Sequence, residues 1–288
     1  MTLLGAGCGS PAPQASEAVA AQSTQRLERV VAVGDLHADL PAALEVLTLA
    51  GLVDEQGAWA GGSATLVQTG DTTDRGPDSK EVLELVMRLE AEAPAQGGRV
   101  VALMGNHELM NLMGDWRYVS TGDVEDFGSV EARKAAFAPG GELGDWLRQR
   151  DAVALVDRVL YVHGGVSPEW AELGVEGINQ KLAPTLAGSE PGLAHPASPT
   201  WFRDYVQEPE LQACPELEKA LTELGAERMV VGHTTRRDGR IQARCGGRLL
   251  VIDTGISTHY GRHLAALELR SGDAWALYPE GPEDLPDP

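Results

Sequence analysis

Positive charge is scarce in this 288-residue chain: 23 lysines and arginines stand against 43 aspartates and glutamates, for a formal net charge of −20. A nucleic-acid backbone needs a basic face, so nucleic acid is excluded as a partner. Lysine is especially rare, with only Lys80, Lys134, Lys181 and Lys219 present. No uninterrupted run of about 18 apolar residues occurs, which excludes a membrane-spanning helix. Cysteine is limited to Cys8, Cys214 and Cys245. The chain is 43% hydrophobic, enough for one fairly large domain, or two small ones, with a real core. Divalent cations would offset part of the acidic balance locally.

Residues 1–25 read as a tail, small, polar and rich in Pro, Ala and Ser. "LLGAGC" is similar to the end of a bacterial lipoprotein signal, with Cys8 as the lipid-anchored residue. The basic start and the long apolar stretch of such a signal are missing. Two expectations therefore stand: a lipid anchor at Cys8 or an ordinary tail. They correspond to a cell-envelope or a cytoplasmic location. In an oxidising compartment Cys214 and Cys245 could pair; in the cytosol all three cysteines would be free thiols. The domain is expected over 26–279, and "PEGPEDLPDP" leaves 280–288 as a solvated C-terminal tail.

Strands and helices alternate after the tail. "RVVAVGD" (29–35), "ATLVQTGD" (64–71) and "RVVALMGN" (99–106) are β-branched runs. Between them lie "LPAALEVLTLAGL", with Pro41 near its start and Gly51 near its end, and the amphipathic "SKEVLELVMRLEAEA". This is a βαβαβ pattern, which argues for parallel strands with flanking helices. From His107 to about Arg150 the chain reads as helices and loops. A strand pair, "VALVDRVLYVHGG", follows, and then a Pro/Gly/Ser-rich connection over 187–200 that reads as a flexible surface loop or lid edge. The C-terminal part returns to strands, with a hairpin around Gly246-Gly247.

The polar residues fall at the strand ends. Asp35 and His37 follow the first strand, and Asp71, Asp74 and Arg75 the second. Asn106, His107 and Glu108 follow the third, His163 ends "LYVHGG", and His233 ends "MVVGHT". Four of the seven histidines occupy such ends. In an open α/β sheet, ligands bind beyond the carboxyl ends of the strands, so these side chains should converge. Imidazole suits Zn, Fe and Mn, whereas carboxylate and amide oxygens suit harder ions. No cysteine takes part, which argues against a structural zinc site. Three histidines, two aspartates and an asparagine suffice for two ions sharing one carboxylate. Gly34, Gly70 and Gly105 are expected to let the chain turn sharply into the site.

"GDLHAD", "GDTTDRG", "GNHE", "HGG" and "GHT", in this order, resemble the calcineurin-like metallophosphoesterases, and more narrowly the PPP-type phosphatases. "GNHELMNLMGDWRYV", "VIDTGIS" and "YGRHLAALEL" are similar to the bacterial or Shewanella-like branch of that group. The resemblance spans about Val30 to Leu269. It implies a four-layer αββα sandwich of mixed sheets with flanking helices. It also implies two divalent metal ions, Mn²⁺ foremost with Fe or Zn as alternatives, and hydrolysis of phosphomonoesters by a hydroxide shared between them. By the same resemblance Asp35 and His37 hold the first ion, Asp71 bridges both, and Asn106, His163 and His233 complete the second. His107 becomes the general acid, oriented by Asp74. Arg75 binds phosphate, with Arg203 in "PTWFRDY" as the candidate second arginine and Tyr260 nearby. Thr72 and Thr73 are left as plain turn residues.

One departure stands out: the family usually has Gly after the first histidine, and this chain has Ala38. If that position needs φ > 0, alanine costs about 1 kcal/mol. A cysteine-nucleophile phosphatase would need Arg six positions after Cys, but Ala220 and Val251 stand there. No D-x-D-x-T/V strand end supports a phosphoaspartate route. The expected substrate is a phosphorylated protein (Ser/Thr or Tyr) or a small phosphoester. The alternatives are a dinucleoside polyphosphate hydrolase and a metal-binding pseudophosphatase.

Overall fold

The first three strands, β1 (Val30–Val33), β2 (Thr65–Gln68) and β3 (Arg99–Ala102), lie parallel and side by side in a computed structural model that describes residues 1–2 and 29–288. Cys8 and the body of the expected N-terminal tail lie outside the described residues. In chain order there follow β4 (Val153–Val156), β5 (Val159–Val162), β6 (Arg228–Val231), β7 (Gln242–Arg244) and β8 (Leu249–Val251), then β9 (Ala266–Arg270), β10 (Asp273–Tyr278) and β11 (Gly281–Leu285). One sheet has the order β11-β10-β9-β1-β2-β3, the other β4-β5-β6-β8-β7. Both are mixed: β9 runs antiparallel to β1, whereas β5, β6 and β8 are parallel and flanked by antiparallel β4 and β7.

The strands read as continuous apolar runs because both of their faces are buried. Val30 and Ala32 point into the core between the sheets, where they meet Val67, Tyr161, Val230 and Leu250. Val31 and Val33 point the other way, against Val46 and Val86 of the helices α1 (Leu40–Leu49) and α2 (Ser79–Glu92). On the second sheet Leu160, Val162, Met229 and Val231 face Leu217 and Leu221 of the helix Glu210–Leu224. Helix, sheet, sheet and helix thus form four layers, as the resemblance implied. Asp39 caps α1 by accepting from Ala42 N at 3.0 Å, the kind of bond that replaces a missing intrahelical partner.

The stretch after β3 folds into four short helices, α3 (Asn106–Leu112), α4 (Thr121–Asp126), α5 (Val130–Phe137) and α6 (Glu142–Leu147). They pack against α2 beside the crest of the first sheet through Leu83, Phe137, Leu143 and Leu147. The connection over 187–200 is better held than its composition suggests. Ser198 Oγ and Thr200 Oγ1 each donate to the Leu193 carbonyl at 2.6 Å, and all three residues are buried.

The C-terminal residues correct an expectation. Residues 280–288 were expected as a solvated tail, yet Gly281–Leu285 pairs antiparallel with β10. Arg228 Nη2 donates to the Pro286 carbonyl at 3.0 Å. The polar sequence misleads because an edge strand exposes most of its side chains.

Cys214 and Cys245 form a disulfide that ties the β7–β8 hairpin to the helix Glu210–Leu224 across 31 residues of sequence. Closing a loop of that size restricts the unfolded chain by about 3–4 kcal/mol. Cys214→Ser is therefore expected to lower unfolding stability by about 3 kcal/mol in a denaturant titration. Mass spectrometry showing both cysteines alkylated without prior reduction would contradict the pairing.

Candidate active site

The crests of both sheets meet at one point, and every strand-end residue singled out from the sequence is there. Asp35, His37, Asp71, Asn106, His163 and His233 are all buried. Three loops interlock to bring them together. His37 N and Leu36 N both donate to the Asp71 carbonyl, at 2.9 and 3.0 Å, and Ala38 N donates to the Thr72 carbonyl at 2.8 Å. The tight crossing forces left-handed backbone at non-glycine residues: φ is +44° at His37, +52° at Ala38, +55° at Asp71, +67° at Asp74, +71° at Arg75 and +64° at His233. Each such residue costs on the order of 1 kcal/mol, strain of the kind concentrated at functional sites. The position of Ala38 does need φ > 0, so the penalty raised by the sequence is real.

The glycines act in two ways. Gly70 has φ +95° and is free to turn there. Gly105, at φ −92°, is needed for closeness instead: a β-carbon on it would collide with the Asp71 carboxylate. Gly34 is likewise a close-approach position, where a β-carbon would lie 2.8 Å from the Ile252 carbonyl.

The imidazoles are oriented from behind by carbonyls, which only accept. His163 Nδ1 donates to the Thr69 carbonyl at 2.9 Å, and His37 Nδ1 to the Thr73 carbonyl at 3.3 Å. His233 Nε2 donates to the Trp201 carbonyl at 3.2 Å. The opposite nitrogens of His163 and His37 then turn lone pairs inward, whereas His233 Nδ1 faces Arg203 Nη2 at 3.5 Å. His163 Nε2 lies 2.9 Å from Asn106 Oδ1 and 3.3 Å from Asp71 Oδ2. His37 Nε2 lies 3.8 Å from both Asp35 Oδ2 and Asp71 Oδ2. Acceptors facing acceptors repel unless a cation sits among them, so the donor set fits metal ions. The ligating atoms of Asp71, His163 and His233 lie within 4.8 Å of one another, and so do those of His37, Asp71 and His107. Asp71 is common to both groups.

Electrostatics agree. Burial pushes the Asp35 carboxyl well above the usual range, aided by neighbouring Asp253 and Asp71. Burial lowers His37 to about 3 and drives His233 well down, with His163 and Arg203 adding to the effect. Both rings are therefore neutral, the form that ligates metal. For Asp71 burial acts upward, but His163, His107 and His37 outweigh it and hold the carboxyl well below its ordinary value.

His107 differs from the other imidazoles. Its Nδ1 donates to Asp74 Oδ2 at 2.7 Å, a carboxylate rather than a carbonyl. Burial acts against its charged form, but Asp71 and Asp74 overcome that and raise its pKa. Arg75 stacks 3.8 Å from the Tyr118 ring centre, its backbone N donates to the Tyr118 carbonyl at 3.0 Å, and its Nε–H has no protein partner. Arg203 Nη1 donates to the His233 carbonyl at 2.8 Å, and Arg203 lines, together with Arg75, His107 and Asp71, a cavity of about 200 Å³ over the cluster. The Tyr260 ring lies 4.8 Å from that of His37.

Several residues were not assigned from sequence. Glu108 is the largest omission. Its carboxylate accepts from the backbone N of Gly105, Asp71, Thr72 and Thr73 at 2.7–3.1 Å. It also takes the hydroxyls of Thr72 and Thr73, at 2.8 and 3.2 Å. Thr72 and Thr73 are therefore not plain turn residues; they fasten the loop to α3. The only sequence signal was the position of Glu108 in "GNHE". Glu108→Gln turns an amide NH₂ toward these buried donors. A loss of about 2–4 kcal/mol is expected in thermal unfolding, since each orphaned buried donor costs about 1–3 kcal/mol. Asn111, Asp123, Arg133 and Asp253 are likewise buried near the site and were missed.

The fold and the convergent acid–imidazole cluster define a metallophosphoesterase. Residues 28–237 match the calcineurin-like phosphoesterase family, and the chain belongs to it. Within that family its relatives include Shewanella-like protein phosphatases. Shewanella-like protein phosphatase 2 of Arabidopsis thaliana is 32% identical, over 81% of this chain and 72% of its own. An uncharacterised protein of Schizosaccharomyces pombe is 39% identical, over 85% of this chain and 78% of its own. The crystal structure of a cold-active protein-tyrosine phosphatase from a psychrophilic Shewanella is similar, with a TM-score of 0.78 and 31% identity over 90% of this chain and 80% of that one. The chain is a phosphoesterase, and its family implies divalent metals. Among the described residues no helix is long and apolar enough to cross a membrane.

Proposed function

We propose that the protein is a dinuclear metal-dependent phosphomonoesterase acting on phosphoproteins, phosphotyrosine foremost. The observation that carries this is the Asp71 carboxylate, common to two buried ligand groups. Asp35, His37 and Asp71 would hold one ion, and Asp71, Asn106, His163 and His233 the other, with Mn²⁺ the first candidate. Two such ions, when bound, supply an activated water and neutralise charge on the phosphoryl oxygens. The protein's own groups do the rest. Arg75, with its Nε–H free, and Arg203 offer planar forks to the phosphate oxygens. Tyr118 holds Arg75 in place by stacking on it. His107 Nε2 lies 3.8 Å from Asp71 Oδ2, so it would stand beside the first ion. Its bond to Asp74 and its raised pKa suit it to donating a proton to the leaving oxygen rather than to ligating.

Phosphotyrosine is favoured by the aromatic rim of the cavity, Tyr118, Trp201 and Tyr260. The likeness to the Shewanella protein-tyrosine phosphatase points the same way. The test is a panel of phosphotyrosine, phosphoserine and phosphothreonine peptides with a diadenosine polyphosphate, each with Mn²⁺ and with chelator. Metal-dependent turnover led by phosphotyrosine is expected. Faster turnover of the dinucleotide than of every peptide would replace the proposal with a dinucleoside polyphosphate hydrolase. No turnover of any substrate would favour a metal-binding pseudophosphatase.

A further inference from the structure

Arg133 lies on α5, and its side chain is completely buried. Isolated buried charge is costly, and apolar packing can usually replace it without loss of stability. Aromatic rings crowd this guanidinium, with Phe137 at 4.6 Å, Trp116 at 5.6 Å and Phe127 at 5.7 Å from it. Its polar contacts run in one direction. Nε donates to Asp123 Oδ2 at 2.7 Å, and Nη1 donates to Asn111 Oδ1 at 2.7 Å. Nη2 has no hydrogen-bond partner and meets Asp74 Oδ1 at 3.6 Å. Asn111 Nδ2 in turn donates to that same Asp74 oxygen at 2.9 Å and to the His107 carbonyl at 2.9 Å. Asp123 Oδ1 accepts from Ser79 N at 3.0 Å, and Ser79 Oγ accepts from Asp74 N at 3.3 Å.

The two oxygens of Asp74 therefore have separate tasks. Oδ2 meets His107, while Oδ1 is fixed by Asn111 and faces Arg133. A carboxylate held at both oxygens cannot rotate. We infer that Arg133 is a positioning residue: it locks Asp74 through Asn111, and so aims the His107 ring at the leaving oxygen. The inference rests on the phosphomonoesterase reading above. In the step concerned, the oxygen of a water that has given up one proton to solvent bonds to phosphorus, and the bond from phosphorus to the ester oxygen breaks. The electron pair stays on the ester oxygen, and His107 supplies the proton that makes it a neutral hydroxyl; His107 later regains a proton from solvent. The requirement for that proton depends on the leaving group. Phenolate needs it; dinitrophenolate departs without it.

The test compares phenyl phosphate with 2,4-dinitrophenyl phosphate, using the full chain with Mn²⁺. Wild type should hydrolyse both. Arg133→Met should lose on the order of 10-fold to 100-fold in kcat on phenyl phosphate, part of what a general acid supplies. On the dinitrophenyl ester it should lose less than about threefold, with bound metal unchanged, because proton donation contributes little there. A merely structural arginine would slow both esters by the same factor, and that result overturns the inference. If Arg133→Met does not fold, Asn111→Ala carries the same test, because it leaves the Arg133–Asp123 pair in place. Equal slowing of both esters overturns the inference there as well. Wild-type inactivity on both esters overturns the phosphomonoesterase reading and the inference with it.

Discussion

Asp71→Asn is expected to lower phosphatase turnover by on the order of 10³-fold and to reduce bound metal together with it. The substitution keeps the shape of the side chain and removes its charge. Asp71 is within reach of His37 and His107 on one side and of His163 and His233 on the other. It also accepts from His107 N at 3.0 Å, so it positions the start of α3 as well. Metal ions contribute several kcal/mol to such reactions, and each 1.36 kcal/mol is about tenfold in rate. If Asp71 is the shared ligand proposed above, losing its charge should forfeit most of that. Metal stoichiometry by elemental analysis, alongside p-nitrophenyl phosphate turnover with saturating Mn²⁺, checks the prediction. Full metal content at wild-type rate in the variant would remove Asp71 from its assigned place.

His107→Asn is the second large effect and should look different. Turnover is expected to fall by about 10²–10⁴-fold on esters with poor leaving groups, the usual contribution of a general acid. Metal content should stay near wild type, because Asp71 and Asp74 raise the His107 pKa and so favour the protonated ring, which cannot ligate. Metal loss equal to that of Asp71→Asn would make His107 a ligand of the first ion. The two variants together thus separate ligation from proton donation, which the distances alone leave close: both His37 and His107 place Nε2 3.8 Å from Asp71 Oδ2.

How much of this was legible in the sequence depended on where each residue sits. Asp35, Asp71, Asn106, His163 and His233 follow apolar runs directly, so strand and ligand are read in one glance. Within each sheet the parallel strands end on the same edge, but the ligand-type residues come from two sheets, and only the packing of one sheet on the other brings the two edges together. Arg133 and Asp123 carry no such mark. "VEARKAAFA" reads as an ordinary solvated helix, and nothing local shows that its arginine is buried against Asp123, Asn111 and Asp74. Thr72 and Thr73 were underrated for a related reason. Turn composition explains their presence well enough that their partner, Glu108, is invisible until α3 folds back over the loop. The pairing of Cys214 with Cys245 was open because spacing alone does not bring a hairpin onto a helix.

The C-terminal strand has a consequence for solubility. β11 is the outermost strand of its sheet, and its sequence, Gly-Pro-Glu-Asp-Leu, is a poor template for a further strand. Pro282 has no N–H to offer, and Glu283 and Asp284 add charge, the means by which natural sheets prevent edge-to-edge association. β10 beneath it is far more apolar, with Ala274, Ala276 and Tyr278 buried. The last residues therefore act as a guard rail: without them, the sheet would present an open apolar edge to other molecules.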